Sequence, residues 1–339
     1  MKVTVHDVAK RAGVSSATVD RVLNGRKGVR ALTVERVQNA ALELGYVPNR
    51  LASRLAKGKK YQIGFILPQG PNYFMKKLAH AVEIRKEAMA AENIILDVVF
   101  LDIWDSRAPE KLLDIAHGYD ALAVVAADDA KVNYVINQLS EHMPIITLVS
   151  DAPASHRAAY VGIDNMAAGR TAASLIGRFL PKDNPAKVAI IMGSAALRDH
   201  AERKAGFEQV IHHEYPYLKI LSPVYGYDDF EKVYQYLDEL FREHADIDAI
   251  YSLGAGNRGL VRLLEERQNK KKIQVVAHEV TEVSRKALIA GYFDVVLSQN
   301  VESEIQQSIE ILLNILENRI SKNLIKPNIQ IFLRDNLPL

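Results

Sequence analysis

Residues 3–30 read Val-Thr-Val-His-Asp-Val-Ala-Lys-Arg-Ala-Gly-Val-Ser-Ser-Ala-Thr-Val-Asp-Arg-Val-Leu-Asn-Gly-Arg-Lys-Gly-Val-Arg, and they decide the fold of the N-terminal end. Thr4 suits a helix N-cap, with Asp7 three residues on as a weaker form of the capping box. Val5, Val8, Ala9 and Ala12 share one helical face, which packs inward. Gly13 stands where that helix must stop and turn sharply. Ser15 caps a second helix whose Val19, Val22 and Leu23 face the core, leaving Ser16, Ala17, Asp20 and Arg21 outside. Two short helices joined by a glycine turn make a helix-turn-helix, whose second helix enters the DNA major groove. The same pattern suits a plain helical hairpin with a solvated face, so charge has to arbitrate. Residues 1–60 hold 13 Lys+Arg against 4 Asp+Glu, whereas the remainder holds 30 against 37. A basic end on an acidic body is the electrostatic footprint of a nucleic-acid-binding arm.

Thr4-Val5-His6-Asp7-Val8-Ala9, Ala12-Gly13-Val14-Ser15, Thr18-Val19 and Arg21-Val22-Leu23-Asn24 resemble the headpiece of the lactose/galactose repressor family. Leu44-Gly45-Tyr46-Val47-Pro48-Asn49, followed by Ala52 and Leu55, continues the likeness. The match is dense over roughly the first 60 residues and looser beyond. Residues 33–45, from Thr33 to a Gly45 stop, make a third amphipathic helix. Pro48-Asn49 then breaks the pattern, and residues 49–56 are too few for a stable isolated helix. The resemblance implies a hinge that becomes helical on operator DNA, with Leu55 as the wedge in the minor groove. A solvated linker is the plainer reading of the same residues. The family's Ala-Arg is here Ala52-Ser53, with arginine one place later at Arg54.

From Tyr61 on, short apolar runs alternate with helical stretches. Candidate strands are 61–67, 94–100, 119–126, 144–150, 187–192, 219–225, 248–253, 273–279, 294–298 and 329–333. Nearly continuous apolar strands separated by helices imply parallel sheets buried on both faces, and the span favours two α/β lobes. The fold class expected is thus multidomain: an all-α helix-turn-helix unit, then a two-lobed α/β body of Rossmann-like lobes. The resemblance implies a body like the type I periplasmic binding proteins, whose chain crosses between lobes three times. The expected divisions are a headpiece over 1–47, a hinge over 48–60 and an effector and dimerisation domain over 61–339. Within the last, lobe 1 takes about 61–162 plus 292–322, and lobe 2 about 163–291 plus 323–339. No run of 18 apolar residues suggests a membrane span and no apolar signal region opens the chain, so a cytoplasmic protein is expected. Zero cysteines excludes disulfides, thiolate nucleophiles and Cys-zinc sites.

Ligands of such sheets bind outside the carboxyl ends of the strands. Asn72, Phe74, Asp151, Arg203, Glu279 and Gln299 fall at such ends, and carboxylates, a guanidinium, amides and an aromatic face suit a polyol. The resemblance supports Asp151, Arg203 and Gln299 as sugar-contacting positions, with Glu279 in place of the usual aspartate. The family's Asn-Asp near 253–254 is here Leu253-Gly254, and Asn257 is a candidate for the lost amide. Gly254-Ala255-Gly256-Asn257-Arg258-Gly259 is a literal G-x-G-x-x-G between strand and helix, with Glu279 twenty residues past the last glycine. That is the local form of a dinucleotide site and supplies one rival reading, an NAD-binding oxidoreductase. Its late place in the chain and the lack of a hydride-transfer set count against it. A periplasmic-type sugar receptor is the other rival, though it has no use for residues 1–60. His200 and His212-His213-Glu214 lack a second pair at ligand spacing, so no metal and no cofactor is expected.

The function expected is a transcription factor without enzymatic activity, probing double-stranded operator DNA as a homodimer and controlled by a small effector such as a sugar. A nucleoside or a co-repressor protein would serve as an alternative effector. Ser16, Ala17 and Arg21 are expected to read bases, Arg21 by a bidentate contact to guanine and Ala17 at a thymine methyl. Thr4, Ser15, Thr18, Asn24 and Asn49 suit phosphates, which set position and not sequence. No leucine heptad follows residue 322, so a dimer is expected and not a tail-assembled tetramer.

Overall fold

A computed structural model describes residues 3–23, 28–46, 59–182, 184–267, 272–319 and 327–338. Three helices make the N-terminal unit: α1 (Val5–Ala12), α2 (Ser16–Leu23) and α3 (Ala31–Glu43). The capping box at its start is complete: the Thr4 amide donates to Asp7 Oδ2 (2.8 Å) and the Asp7 amide to Thr4 Oγ1 (3.3 Å). Gly13 ends α1 at φ 65°, ψ 37°, a left-handed conformation that a side chain would strain, and its amide reaches the Ala9 carbonyl. Val8, Ala9, Ala12, Val19, Val22, Val37 and Ala40 close a small core, and an Arg11–Glu43 ion pair (2.5 Å) joins α1 to α3. Helix α3 starts two residues ahead of Thr33, whose amide already donates to the Arg30 carbonyl. Asn24, Asn49, Leu55 and nearly all of the expected hinge lie outside the described residues.

The body holds two sheets. The first runs β2-β1-β3-β4-β5, all parallel, from β1 (Tyr61–Pro68), β2 (Ile94–Leu101), β3 (Ala121–Val124), β4 (Ile145–Leu148) and β5 (Ala159–Val161). Helices α4 (Tyr73–Glu83), α5 (Lys86–Ala90), α6 (Ala108–Ala116) and α7 (Ala130–Ser140) connect them. The second runs β12-β11-β10-β9-β6-β7, with β8 beside β6 and β12 antiparallel at the edge. Its strands are β6 (Ala186–Met192), β7 (Leu218–Ile220), β8 (Val224–Tyr225), β9 (Ile247–Ser252), β10 (Gln274–His278), β11 (Val295–Ser298) and β12 (Gln330–Phe332). Around it lie α8 (Asn165–Phe179), α9 (Arg198–Glu214), α10 (Phe230–Glu243), α11 (Asn257–Arg267) and α12 (Glu282–Ala290). Strands β3, β4 and β11 are buried at every residue, as parallel strands covered on both faces must be.

Three details depart from the sequence reading. The run 219–225 is two strands, β7 and β8, and the short β5 went unforeseen. Strand 295–298, assigned to the first lobe by the division at 292, pairs with β10 and β12 in the second sheet. The return begins only after it: α13 (Val301–Leu316) sets Val301, Ile305, Ile309 and Leu312 into the core under the first sheet. The sequence reading placed 295–298 in the wrong lobe because a strand's neighbours are not written in its local pattern. In each sheet the order reverses beside the first strand, between β1 and β3 and between β6 and β9, which opens a crevice at the carboxyl ends.

Candidate functional site

On the headpiece, Ser16, Ala17 and Arg21 stand exposed on the face of α2 opposite Val19 and Val22. Ser15 Oγ accepts from the Thr18 amide (3.1 Å) and pairs with Thr18 Oγ1 (2.9 Å). Of the two hydroxyl protons one is used inside that pair, which leaves one to donate outward. Thr4 is different. Its hydroxyl donates to Asp7 Oδ2 (2.7 Å), and these bonds hold Asp7 below the usual carboxylate range. That proton is spent inside the cap, so Thr4, expected at a phosphate, has no hydroxyl proton left to donate outward. Asp20 faces Tyr46 beyond the end of α3; burial, then the Asp20 charge, raises that phenol.

The loops at the carboxyl ends of the two sheets meet across the crevice. Asn72 caps α4 through the Phe74 amide (2.9 Å) and donates from Nδ2 to Asp228 Oδ2 (2.9 Å) on the far side. The Asp128 amide reaches the Ala196 carbonyl (3.0 Å), the Arg198 amide Ser150 Oγ (3.1 Å), and Lys77 Nζ the Val280 carbonyl (2.9 Å). Trp104 meets Tyr227 edge to face, ring centres 6.1 Å apart. The two lobes are closed on each other.

Arg203 anchors the interior. It is 3% exposed, its Nε donates to Asn165 Oδ1 (2.9 Å) and its Nη1 to the Leu253 carbonyl (2.8 Å). Its Nη2 has no hydrogen-bond partner among the described residues, with Asp199 Oδ2 3.9 Å away. Asn165 also donates to the Tyr160 hydroxyl (3.1 Å), which donates to the Val149 carbonyl (2.9 Å). Glu279 accepts from Ser298 Oγ (2.9 Å) and Gln299 Nε2 (3.0 Å); burial raises it, with Arg203 and these bonds opposing. Gln299 Oε1 and Asp199 Oδ1 are buried without hydrogen-bond partners. Glu304, on the first turn of α13, is 0% exposed, and neither carboxylate oxygen has a hydrogen-bond partner among the described residues. Burial, then the neighbouring Glu279 charge, pushes it well above the usual range, while Arg203 pulls the other way. His278 Nε2 pairs with the Tyr251 hydroxyl (2.9 Å), its Nδ1 lacks a partner, and burial holds the ring well below its ordinary pKa and so neutral. Buried polar atoms are nearly always satisfied, so a set of unmatched ones facing a crevice marks where a polar ligand fits.

Backbone strain gathers here too. Val149, Tyr227, Asp228 and Glu279 all have φ between 50° and 67°. For a β-branched residue such as Val149 that is a genuine outlier, and such strain concentrates at binding sites.

The structure therefore brings Arg203, Glu279 and Gln299 together, and engages three other candidates in contacts within the protein. Phe74 is buried in the core of the first lobe with Met75 and Leu78. Asp151 is at the crevice but is gripped by Arg157, whose Nη2 lies 2.6 Å away, and by Thr147 Oγ1 at 2.6 Å. Burial raises its carboxyl, but Arg157 and Thr147 outweigh that and hold it below the usual range. Asn257 is tied up structurally, accepting from Ser252 Oγ (2.7 Å) and donating to the His278 carbonyl (3.1 Å). The glycine loop has a structural reason of its own. A Cβ on Gly259 would lie 2.0 Å from the Phe230 carbonyl oxygen, so the third glycine lets α11 lie against α10. The Ala255 amide donates to Asp228 Oδ1 (3.3 Å), which puts a carboxylate where a dinucleotide would need a phosphate.

Among the described residues no group of three His, Cys, Asp or Glu could hold a metal ion, and no helix is long and apolar enough to cross a membrane.

Comparison with known proteins agrees with both halves. Residues 4–49 match bacterial regulatory proteins of the lacI family, and residues 63–320 match a periplasmic binding protein domain. The chain belongs to the lacI-type regulators built on a periplasmic binding protein domain. The HTH-type transcriptional regulator MalR of Streptococcus pneumoniae is 28% identical over 267 residues, 74% of this chain and 75% of MalR. Catabolite control protein A of Priestia megaterium is 43% identical over 96 residues, 28% of this chain and 29% of that protein. In fold, a glucose-galactose binding protein from Geobacillus stearothermophilus superposes with a TM-score of 0.74 at 18% identity, covering 83% of this chain and all of that one. A putative LacI transcriptional regulator from Bacteroides fragilis gives 0.70 at 18% identity, covering 82% and 98%. For this lacI-type chain the sequence reading passed over Glu304, Asp199, Tyr160, Asn165 and His278. Only Glu304 carried a local signal: it sits in the inward stripe Val301, Glu304, Ile305, Ser308, Leu312, where an apolar residue is the norm.

Proposed function

We propose that this lacI-type regulator represses transcription as a homodimer on operator DNA, and that a carbohydrate held between the lobes sets its operator affinity. The observation that carries the reading is one chain joining an exposed face of Ser16, Ala17 and Arg21 to a closed crevice lined with unmatched buried polar atoms. Arg21 reads a guanine edge, and the Ser15–Thr18 pair holds a phosphate at the helix N-terminus. Closing the crevice on an effector couples the two sites, and a coupling of about 1–3 kcal/mol is ample for control. The relatives named as transcriptional regulators, and the sugar-binding proteins of the same fold, favour regulation over catalysis.

The test is a pair of titrations on the full chain. Arg21→Ala should cost about 1–3 kcal/mol on the cognate site and little on random duplex. Arg203→Ala should leave effector-free operator binding intact and abolish the response to the effector. Equal loss on both duplexes would make Arg21 a phosphate contact, and an unaltered effector response would remove Arg203 from the site.

A further inference from the structure

We propose that the effector carries a positive charge: an amino sugar, or a polyhydroxylated amine of that kind, whose ammonium group sits against Glu304. This rests on the carbohydrate reading above and narrows it.

The argument is a balance of charge and of hydrogen-bonding capacity. Three buried carboxylates, Asp199, Glu279 and Glu304, share the interior with one guanidinium, Arg203. Asp151 does not enter the sum, being matched by Arg157. His200 Nε2 and Arg203 Nη2 lie 3.7 Å and 3.9 Å from Asp199 Oδ2, whereas no such neighbour stands within ion-pair reach of Glu304 among the described residues. Two of the three N–H edges of Arg203 are spent on Asn165 and the Leu253 carbonyl, so it cannot neutralise Glu304 by a bidentate pair. The unmatched buried atoms tell the same story. Glu304, once ionised against a cation, contributes two acceptors, Gln299 Oε1 one and Asp199 Oδ1 one, against Arg203 Nη2 and His278 Nδ1. A neutral hydroxyl brings one proton and two lone pairs, so a plain sugar adds acceptors to a site already rich in them. An ammonium brings three donors and no acceptor, and its charge offsets the buried carboxylates. A sugar acid or sugar phosphate would add a like charge. Glu304 has no structural role that explains it, for a buried glutamate without a partner at an inward position of α13 costs stability.

The test is calorimetric titration of the full chain with hexosamines, their parent hexoses, the N-acetylated forms and the hexuronic acids. The same series is then run on Glu304→Gln. An amine should bind about tenfold or more tightly than its neutral parent, the scale of one charge-assisted hydrogen bond. Glu304→Gln keeps the size but removes the charge and turns one acceptor oxygen into a donor NH2, so the amine should lose about tenfold or more in affinity beyond whatever its neutral parent loses. A neutral sugar or an acid binding as tightly as its amine would overturn the charge inference and leave the carbohydrate reading standing. A preference for the amine that survives in Glu304→Gln would overturn the role of Glu304. If no carbohydrate of any class bound, both readings would fall together.

Discussion

The sharpest test of how the effector site is supported is Gly169→Ala. Helices α8 and α9 cross with backbones in contact: a Cβ on Gly169 would lie 1.9 Å from the Arg203 carbonyl oxygen and 2.8 Å from the Phe207 amide nitrogen. On the other side a Cβ on Gly206 would lie 2.2 Å from the Met166 carbonyl oxygen. No rotamer change can relieve a clash with backbone, so the helices must part locally by about 1 Å, a distortion of the overpacking kind that costs about 1–3 kcal/mol. The upper end applies because the obstructing atoms are main chain. Alanine regains about 1 kcal/mol of helix propensity over glycine. The net expectation is a loss of about 1–2 kcal/mol, read as a lower urea midpoint at unchanged slope. The residue whose carbonyl is struck is Arg203, and its bonds to Asn165 and Leu253 will not survive a shift of that size. Effector affinity should therefore fall about tenfold, the scale of one charged hydrogen bond, while operator binding without effector is kept. Gly118→Ala is the control, since its nearest neighbour there is the Ile115 carbonyl oxygen at 3.7 Å. If Gly169→Ala matched Gly118→Ala in midpoint and kept full effector affinity, the helix contact would not be holding Arg203 in place.

Two further expectations follow from single residues. Glu304 is raised in the folded chain, so between the ordinary glutamate value and the raised one the folded state binds more protons than the unfolded state. Stability without effector must then fall as pH rises through that window; Glu304→Gln should melt higher than wild type at pH 8, with the difference shrinking towards pH 4, and a constant difference would refute the shift. Thr4→Ala removes both hydrogen bonds of the Thr4 hydroxyl and should cost the headpiece about 1 kcal/mol, seen as a lower melting temperature of the headpiece. Unaltered headpiece stability with weaker binding to specific and random duplex alike would instead restore Thr4 as a phosphate contact.

The headpiece was legible because its determinants are local. Thr4, Asp7, Gly13 and Ser15 each act within three or four residues, and the inward stripe of valines and alanines has the period of the helix that presents it. The sheets were legible as apolar runs, but β5 was not, since three residues around a half-buried Tyr160 carry no pattern. Partnership between distant residues is what the sequence withheld. Asp151 looked like a ligand until Arg157, across a loop, took its charge. Phe74 looked like a stacking ring because it follows a strand end, yet its spacing with Met75 and Leu78 already placed it on the buried side of α4. The rule that ligands gather at strand ends picked out Arg203, Glu279 and Gln299, which the structure brings together because topology, and not side-chain detail, carries those ends to one crevice.

Glu304 shows where the physics of a fold and that of a site part company. Its helix satisfies every requirement of a core element: Asn300 caps it, and Val301, Ile305, Ile309 and Leu312 pack into the first lobe. Leucine at 304 would complete that stripe and raise stability by removing an unmatched buried carboxyl. Local and global signals agree everywhere along α13 except at the one side chain that faces Arg203 and Glu279. A position where folding is served by one residue and the chain carries its opposite is where function has the stronger claim. That is why charge, more than shape, is the property of the effector that this structure makes it possible to argue.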